Sequence, residues 1–248
     1  MASAEEPTAG APVGAEAPVA GRAARLLRAA GLMAVAGVPV TVLAVLVRSE
    51  SSVVHRLDLV AIRGATAFTR EHPDLYRFLL GWQEAFQARW VNLVAALVCL
   101  WVWRRHGLGT RALWAVVTIL VTWNLGLGLK HLVGRARPVI DDALTRAPGY
   151  SFPSGHAMNT TATGVTLVIL LWPLLGRRGR AVLASAVGSA VVVTGLDRVY
   201  LGAHYPSDVV AGIALGSAMA GASYLGWRHW HASPETQSTA TSTPRSPS

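Results

Sequence analysis

Along the chain, unbroken apolar stretches alternate with short polar breaks that mostly carry arginine, and the lengths of those stretches set the expected architecture. Residues 29–47 form the first, 19 residues against the roughly 20 that a helix needs to cross a bilayer core. Residues 48–89 are mixed. Within them Leu75, Phe78, Leu79, Trp82 and Phe86 recur at helical spacing while Gln83, Glu84 and Gln87 fall on other faces, which predicts an amphipathic helix lying near the interface or leading into the next crossing. The second crossing, residues 90–103, is only 14 residues long and is expected to begin inside that amphipathic segment. Four further runs follow at about 112–129, 156–175, 181–194 continuing towards 201, and 207–227. The pattern predicts an all-α, polytopic membrane protein with six transmembrane helices. Residues 1–21, without periodicity, and 232–248, rich in Ser, Thr and Pro, are expected to be disordered tails, leaving 22–231 as one six-helix membrane domain. The first 21 residues do not read as a signal peptide, because the basic cluster Arg22, Arg25, Arg28 follows them and the apolar run behind it is long.

Composition agrees with the pattern. A chain of 248 residues that is 52% hydrophobic and 14% charged, with mean hydropathy +0.40, is too apolar for an ordinary soluble domain. The net charge of +9 does not point to nucleic acid, because the arginines sit at the ends of apolar runs, where they report topology. Arg22, Arg25, Arg28, then Arg104, Arg105, Arg111, then Arg177, Arg178, Arg180, and Arg228 all fall on one side of a six-span serpentine. That side is expected to be cytoplasmic, with both termini inside. Trp90, Trp103, Trp172 and Trp227, near span ends, read as interfacial anchors. The single cysteine, Cys99, rules out an intrachain disulfide and reads as a packed thiol.

One loop breaks the charge rule. The stretch from Lys130 to His156 lands on the outer face yet carries Lys130, Arg135, Arg137 and Arg146 against only Asp141 and Asp142, and an anionic ligand would explain it. Lys130 is the only lysine among the 22 basic side chains, a mild hint that a point charge is needed there. The loop ends in Pro153, Ser154, Gly155 and His156. A second polar segment, Asp197 to Asp208, closes the fifth span and opens the sixth. Because alternate spans reverse direction, Lys130, Arg137, His156, Arg198, His204 and Asp208 are brought to one face by topology alone. Each also has a plainer reading. Ser154 and Asp208 suit helix starts as caps, Arg198 suits a snorkelling span end, and a lone histidine suits an interface. His55, His72, His106, His131, His229 and His231 lack such company and are taken as structural or solvated.

Taken together, the segments resemble the membrane-bound phosphatidic acid phosphatase type 2 family, which shares its core with the vanadium haloperoxidases. The family's first motif, a lysine, six residues, then Arg-Pro, is matched by Lys130, Arg137 and Pro138. The second, Pro-Ser-Gly-His, is Pro153 to His156. The third is matched by Arg198, His204 and Asp208, with Asp197 where the family has serine. The resemblance covers residues from about 90 to 227 and implies an acid phosphatase/haloperoxidase-like helical core that removes phosphate from a lipid phosphomonoester or pyrophosphate at the outer face of the cell membrane. It implies His204 as the nucleophile that forms a phosphohistidine, Asp208 on its other ring nitrogen, and His156 as the general acid. Lys130, Arg137, Arg198, Ser154 and the Gly155 amide would hold the phosphoryl group. No cofactor is implied, and scattered carboxylates give no metal site. Phosphatidate, phosphatidylglycerol phosphate and undecaprenyl pyrophosphate remain open as substrates, with membrane lipids as partners and an arginine- and alanine-rich composition fitting a bacterium. The alternatives are a lipid phosphotransferase and a catalytically weak relative that binds or transports lipid. A haloperoxidase is disfavoured by the six spans.

Overall fold

The computed structural model describes residues 19–139, 144–145 and 148–227. Of the sequence-based expectations, residues 1–18 and 232–248 of the two tails, Asp141, Asp142, Arg146, Arg228, His229 and His231 lie outside the described residues, residues 19–21 of the expected N-terminal tail belong instead to the first helix, and Arg22 and Arg25 are described by backbone only. The described chain is helical: α1 (Val19–Arg48), α2 (Ser52–Glu71), α3 (Pro73–Ala85), α4 (Ala88–His106), α5 (Gly109–Val133), α6 (Gly155–Leu171), α7 (Arg177–Tyr200) and α8 (Pro206–Trp227), with a short 3-10 turn at Trp172–Leu174.

Five segments are long and apolar enough to cross a membrane unaided: Leu27–Arg48, Gly109–Val133, Gly155–Leu174, Arg177–Tyr200 and Pro206–Trp227. A sixth candidate requires α3 and α4 taken together, and the two are bent by 50° at their junction. The apolar run at 90–103 thus reaches crossing length only with part of the amphipathic segment before it. The bend comes from Phe86 and Gln87, the latter extended at φ −61° and ψ 142°. Glu84 clasps it from one side, accepting from Gln87 Nε2 at 2.5 Å, from Arg89, and from Trp90 Nε1 at 3.3 Å.

The sequence places one amphipathic helix in the mixed region, whereas the structure has two. Pro73 is the reason. It starts α3 without needing an N–H partner and holds His72 out of the helical region, so α2 stops just before it. Both helices lie against α7 through specific bonds: Thr69 Oγ1 donates to Tyr200 O at 3.0 Å, and Trp82 Nε1 donates to Thr194 Oγ1 at 3.0 Å.

α6 is the centre of the bundle, packed by α4, α5, α7 and α8, while α1 covers α8. Its buried face is made of small and hydroxyl residues such as Ala157, Thr160, Thr161 and Thr166, and the large aliphatics Val35, Val42, Leu120 and Val192 of neighbouring helices face outward. In lipid the outward apolar face costs nothing, and close packing of small residues holds the helices together. The closest approach is between α6 and α8. A Cβ on Gly212 would sit 2.7 Å from Ser154 O, and one on Gly216 would sit 2.6 Å from Met158 O, so only glycine lets the two backbones meet.

The two ends of the bundle differ in character. At one end Arg111 Nη2 donates to Ile169 O at 2.6 Å and stacks over Trp227, and Arg180 Nε donates to Trp172 O at 2.9 Å. The opposite end gathers the C-terminus of α5, the N-termini of α6 and α8 and the C-terminus of α7.

Candidate active site

At that second end, each candidate side chain is placed by a helix terminus. Lys130 lies in the last turn of α5 and donates from Nζ to Tyr150 O at 2.8 Å. The returning loop is fastened to the outgoing one by Ser151 N on Arg135 O at 2.9 Å, which brings Tyr150 and Ser154 back beside α5. Ser154 occupies the N-cap position of α6 but makes no capping bond. Its Oγ is buried without a hydrogen-bond partner, and so is His156 Nε2. Buried polar atoms of this kind are costly unless a ligand completes them. The backbone of Ser154 is fixed from α8, with its N–H donating to Asp208 O at 2.9 Å.

α7 ends in a tight reversal. Gly202 adopts φ +73°, and the N–H groups of Ala203 and His204 both donate to Arg198 O, at 3.0 and 3.1 Å. The left-handed φ is open to glycine at little cost, and it folds His204 back beneath the end of α7. Asp208 then caps α8 from within, its Oδ2 accepting from Tyr205 N at 3.0 Å, the reciprocal half of a capping box. The same oxygen of Asp208 that caps α8 also faces His204.

His204 is 3% exposed. Its Nε2 lies 3.3 Å from Arg137 Nη1, and its Nδ1 lies 3.5 Å from Asp208 Oδ2. A guanidinium only donates, so Nε2 is the accepting nitrogen and the ring proton resides on Nδ1, facing the carboxylate. Burial pulls the His204 imidazole down to about 4, the nearby Asp208 opposing the shift, so the ring is neutral near pH 7. Arg137 is held by backbone oxygens, Nη1 donating to Ala203 O at 2.8 Å and Nε to Gly149 O at 3.0 Å.

These groups border a cavity of about 560 Å³. Lys130, Arg137, Gly155, His156 and His204 line it, together with Gln87, Ala88, Arg89 and Asn92 from the α3–α4 bend and Trp123 from α5. Of the eight residues singled out in the sequence, Ser154, Arg198 and Asp208 lie beneath the cavity instead of on its wall, all three buried. Nothing in the sequence marks the bend residues, because their place on the wall follows from the angle between α3 and α4.

Asp197, the departure from the motif, is fully buried and pairs with its neighbour Arg198, whose Nε donates to Asp197 Oδ2 at 2.7 Å and whose Nη2 closes a second, short bond to the same oxygen. The carboxylate therefore turns to the arginine. Asp197→Ser is expected to leave substrate KM equal or lower, because Arg198 is released towards an anion, and to lower the melting temperature, because a buried pair is broken. Steady-state kinetics and thermal melting in detergent check both; a large loss of kcat/KM would show that Asp197 is needed to aim Arg198.

Arg135, read from sequence as one more cation for the anion, has another place. Its Nη1 donates to Asp208 Oδ1 at 2.6 Å and Ser207 Oγ at 2.7 Å, its Nη2 donates to Asp58 Oδ2 at 2.7 Å, and its guanidinium lies 4.1 Å over the Tyr205 ring. Burial works against its charge, but the Asp208 and Asp58 carboxylates outweigh it and hold the guanidinium above its ordinary range. Asp58, on α2, escaped the sequence reading altogether. Among the described residues no group of three or more His, Cys, Asp or Glu converges in a way that could hold a metal ion.

The family model of the PAP2 superfamily matches residues 110–231. Phosphatidylglycerophosphatase B of Bacillus subtilis is 36% identical over 91 residues, 36% of this chain and 44% of its own length, so the chain spans less than half of that relative. Decaprenylphosphoryl-5-phosphoribose phosphatase of Mycobacterium tuberculosis is 30% identical over 185 residues, 71% of this chain and 85% of the relative. Among solved structures, the first transmembrane PAP2 type phosphatidylglycerolphosphate phosphatase from Bacillus subtilis superposes with a TM-score of 0.62 at 22% identity, over 75% of this chain and 92% of that one, which shows a shared fold.

Proposed function

The chain belongs to the PAP2 superfamily, and from that premise we propose that it is a membrane phosphoric ester hydrolase that cleaves a lipid phosphomonoester or pyrophosphate through a phosphohistidine on His204. The observation that carries this reading is the orientation of the His204 ring. The ring turns Nδ1 to Asp208 and its unprotonated Nε2 to the cavity, where Arg137 Nη1 approaches it.

In the first step Nε2 attacks phosphorus and the bond from phosphorus to the lipid oxygen breaks, His156 supplying the proton that the departing oxygen takes up. Lys130, Arg137 and the Gly155 amide neutralise and bond the five-coordinate oxygens from the cavity wall, the interaction that grows most towards the transition state, and Arg198 and Ser154 Oγ support them from beneath it. Asp208 stabilises the positive ring formed by the attack. In the second step water gives its proton to His156 and attacks phosphorus, the phosphorus–nitrogen bond breaks, and inorganic phosphate leaves with His204 neutral again.

The cavity exceeds what a phosphate fills, and its wall at the α3–α4 bend supports a substrate with a sizeable group next to the phosphorus. The names of the relatives, which include an undecaprenyl-diphosphatase and a lipid A 1-phosphatase, support a phosphate carried by a membrane lipid. The arginines at the opposite end, Arg104, Arg105, Arg111, Arg177, Arg178 and Arg180, support a cytoplasmic face there and an extracytoplasmic site here.

The test is phosphate release by the detergent-purified protein from phosphatidate, phosphatidylglycerol phosphate and undecaprenyl pyrophosphate. Release from at least one is expected, and release from none contradicts the reading. The pH dependence of kcat/KM, corrected for ionisation of the substrate, is expected to show an acid limb. Since burial depresses His204, the nucleophile is available above its folded value and is lost as pH falls through about 4. A profile with no acid limb contradicts His204 as the attacking group.

A further inference from the structure

Asp58 stands apart from every motif residue in sequence, 149 positions before Ser207, yet it is 3% exposed and bonded into the floor of the site. Its Oδ1 accepts from Ser207 N at 3.0 Å, and its Oδ2 accepts from Ser207 Oγ at 2.5 Å and from Arg135 Nη2 at 2.7 Å. Arg135 passes the contact on, with Nη1 2.6 Å from Asp208 Oδ1. The other oxygen of Asp208 is occupied by Tyr205 N and faces His204 Nδ1. The chain of contacts Asp58, Arg135, Asp208, His204 thus runs from α2 to the proposed nucleophile. We propose that Asp58 is a positioning residue that, through Arg135, sets the orientation and the charge of Asp208 behind His204; this rests on His204 being the nucleophile.

Two physical effects follow from the geometry. The first is steric. With Oδ1 held by Arg135 and Oδ2 by a backbone amide, the Asp208 carboxylate is fixed in plane, and the ring it faces is fixed with it. Arg135 cannot swing, because its guanidinium lies over Tyr205 and its two ends are tied to two different carboxylates. The second is electrostatic. One guanidinium shared between two carboxylates leaves a net negative charge in the cluster, so Asp208 keeps part of its charge for the imidazole that becomes cationic as the phosphorus–nitrogen bond forms. Without the Asp58 charge, Arg135 would be free to close both of its donors on Asp208, an arrangement that guanidinium and carboxylate favour, and would neutralise it. Asp58 does not line the cavity, so it acts through the others and not on the substrate.

The variant to make is Asp58→Asn, which keeps the size of the side chain and an acceptor for Ser207 N while removing the charge. The readout is a pair of inhibition constants. Vanadate takes up the five-coordinate geometry with a bond to the attacking nitrogen and senses the nucleophile; inorganic phosphate binds the cations without that bond. Neither constant depends on how much of the protein is folded, so a merely structural role lowers the maximal rate and moves neither. The expected result is a roughly 10-fold weaker vanadate inhibition, the scale on which orienting partners act, with the phosphate constant and KM within about twofold of wild type. A vanadate constant unchanged from wild type overturns the proposal. Ser207→Ala, which removes one donor to Asp58 and one acceptor of Arg135 at the same junction, is measured alongside; it is expected to move the vanadate constant in the same direction, and no movement in it counts equally against the proposal if Asp58→Asn does not fold. Wild-type protein that vanadate inhibits no better than phosphate, or His204→Ala that retains turnover, removes the nucleophile itself and with it the premise, which separates that failure from failure of the Asp58 relay.

Discussion

His204→Ala lowers kcat by about 10⁴-fold or more, on the scale set by removal of a covalent nucleophile from other hydrolases, while the protein keeps its helicity and its melting temperature. The fold is expected to survive because the ring's neighbours have other anchors. Arg137 keeps the carbonyl oxygens of Ala203 and Gly149, and Asp208 keeps Arg135 and Tyr205 N. Phosphate release under saturating substrate, with circular dichroism and thermal melting in the same detergent, checks the two halves together. A residual rate within 10-fold of wild type would mean that the phosphoryl group goes directly to water and that the ring only assists.

Gly212→Ala is the second large effect, and it arises from packing. The new methyl group would lie 2.7 Å from Ser154 O and 3.1 Å from Met158 N, both backbone atoms that cannot turn aside. The N-terminus of α6 must shift away from α8, taking Ser154, Gly155 and His156 from His204 and Asp208. A displacement approaching 1 Å in an oriented site costs about 10²-fold in rate, so kcat/KM is expected to fall by about that factor with a lower melting temperature. Gly188→Ala, where nothing lies within 4 Å of the added carbon, serves as the control and is expected to change neither. Equal behaviour of the two variants would show that α6 and α8 are not held in register by close backbone contact.

What the sequence made legible is what repeats along a line or keeps a short spacing. Apolar run length located the crossings, and the alternation of their direction brought Lys130, Arg137, His156 and His204 to one end, where the structure has them lining one cavity. The residues it left dark are those whose role depends on distant contacts. Asp58 sits in the mixed stretch 48–89, where nothing local shows that α2 tucks it beneath Ser207. Arg135 has the charge of a ligand for the anion, but Asp58 and Asp208 occupy it. Gln87, Arg89 and Asn92 reach the cavity only because Glu84 gathers the start of α4 into a bend. Pro73, by contrast, is a local signal of a helix start, and it divides the mixed region into α2 and α3.

The phosphohistidine itself is the most direct object to measure. Protein mixed with a lipid phosphate labelled in its phosphoryl group, quenched in alkali where phosphohistidine persists, and digested for mass spectrometry should carry one phosphoryl group on His204. The label should form equally in the presence of a chelator and be absent from His204→Ala. Turnover without label, label on another residue, or label that disappears with chelation would contradict a metal-independent histidine phosphatase centred on His204.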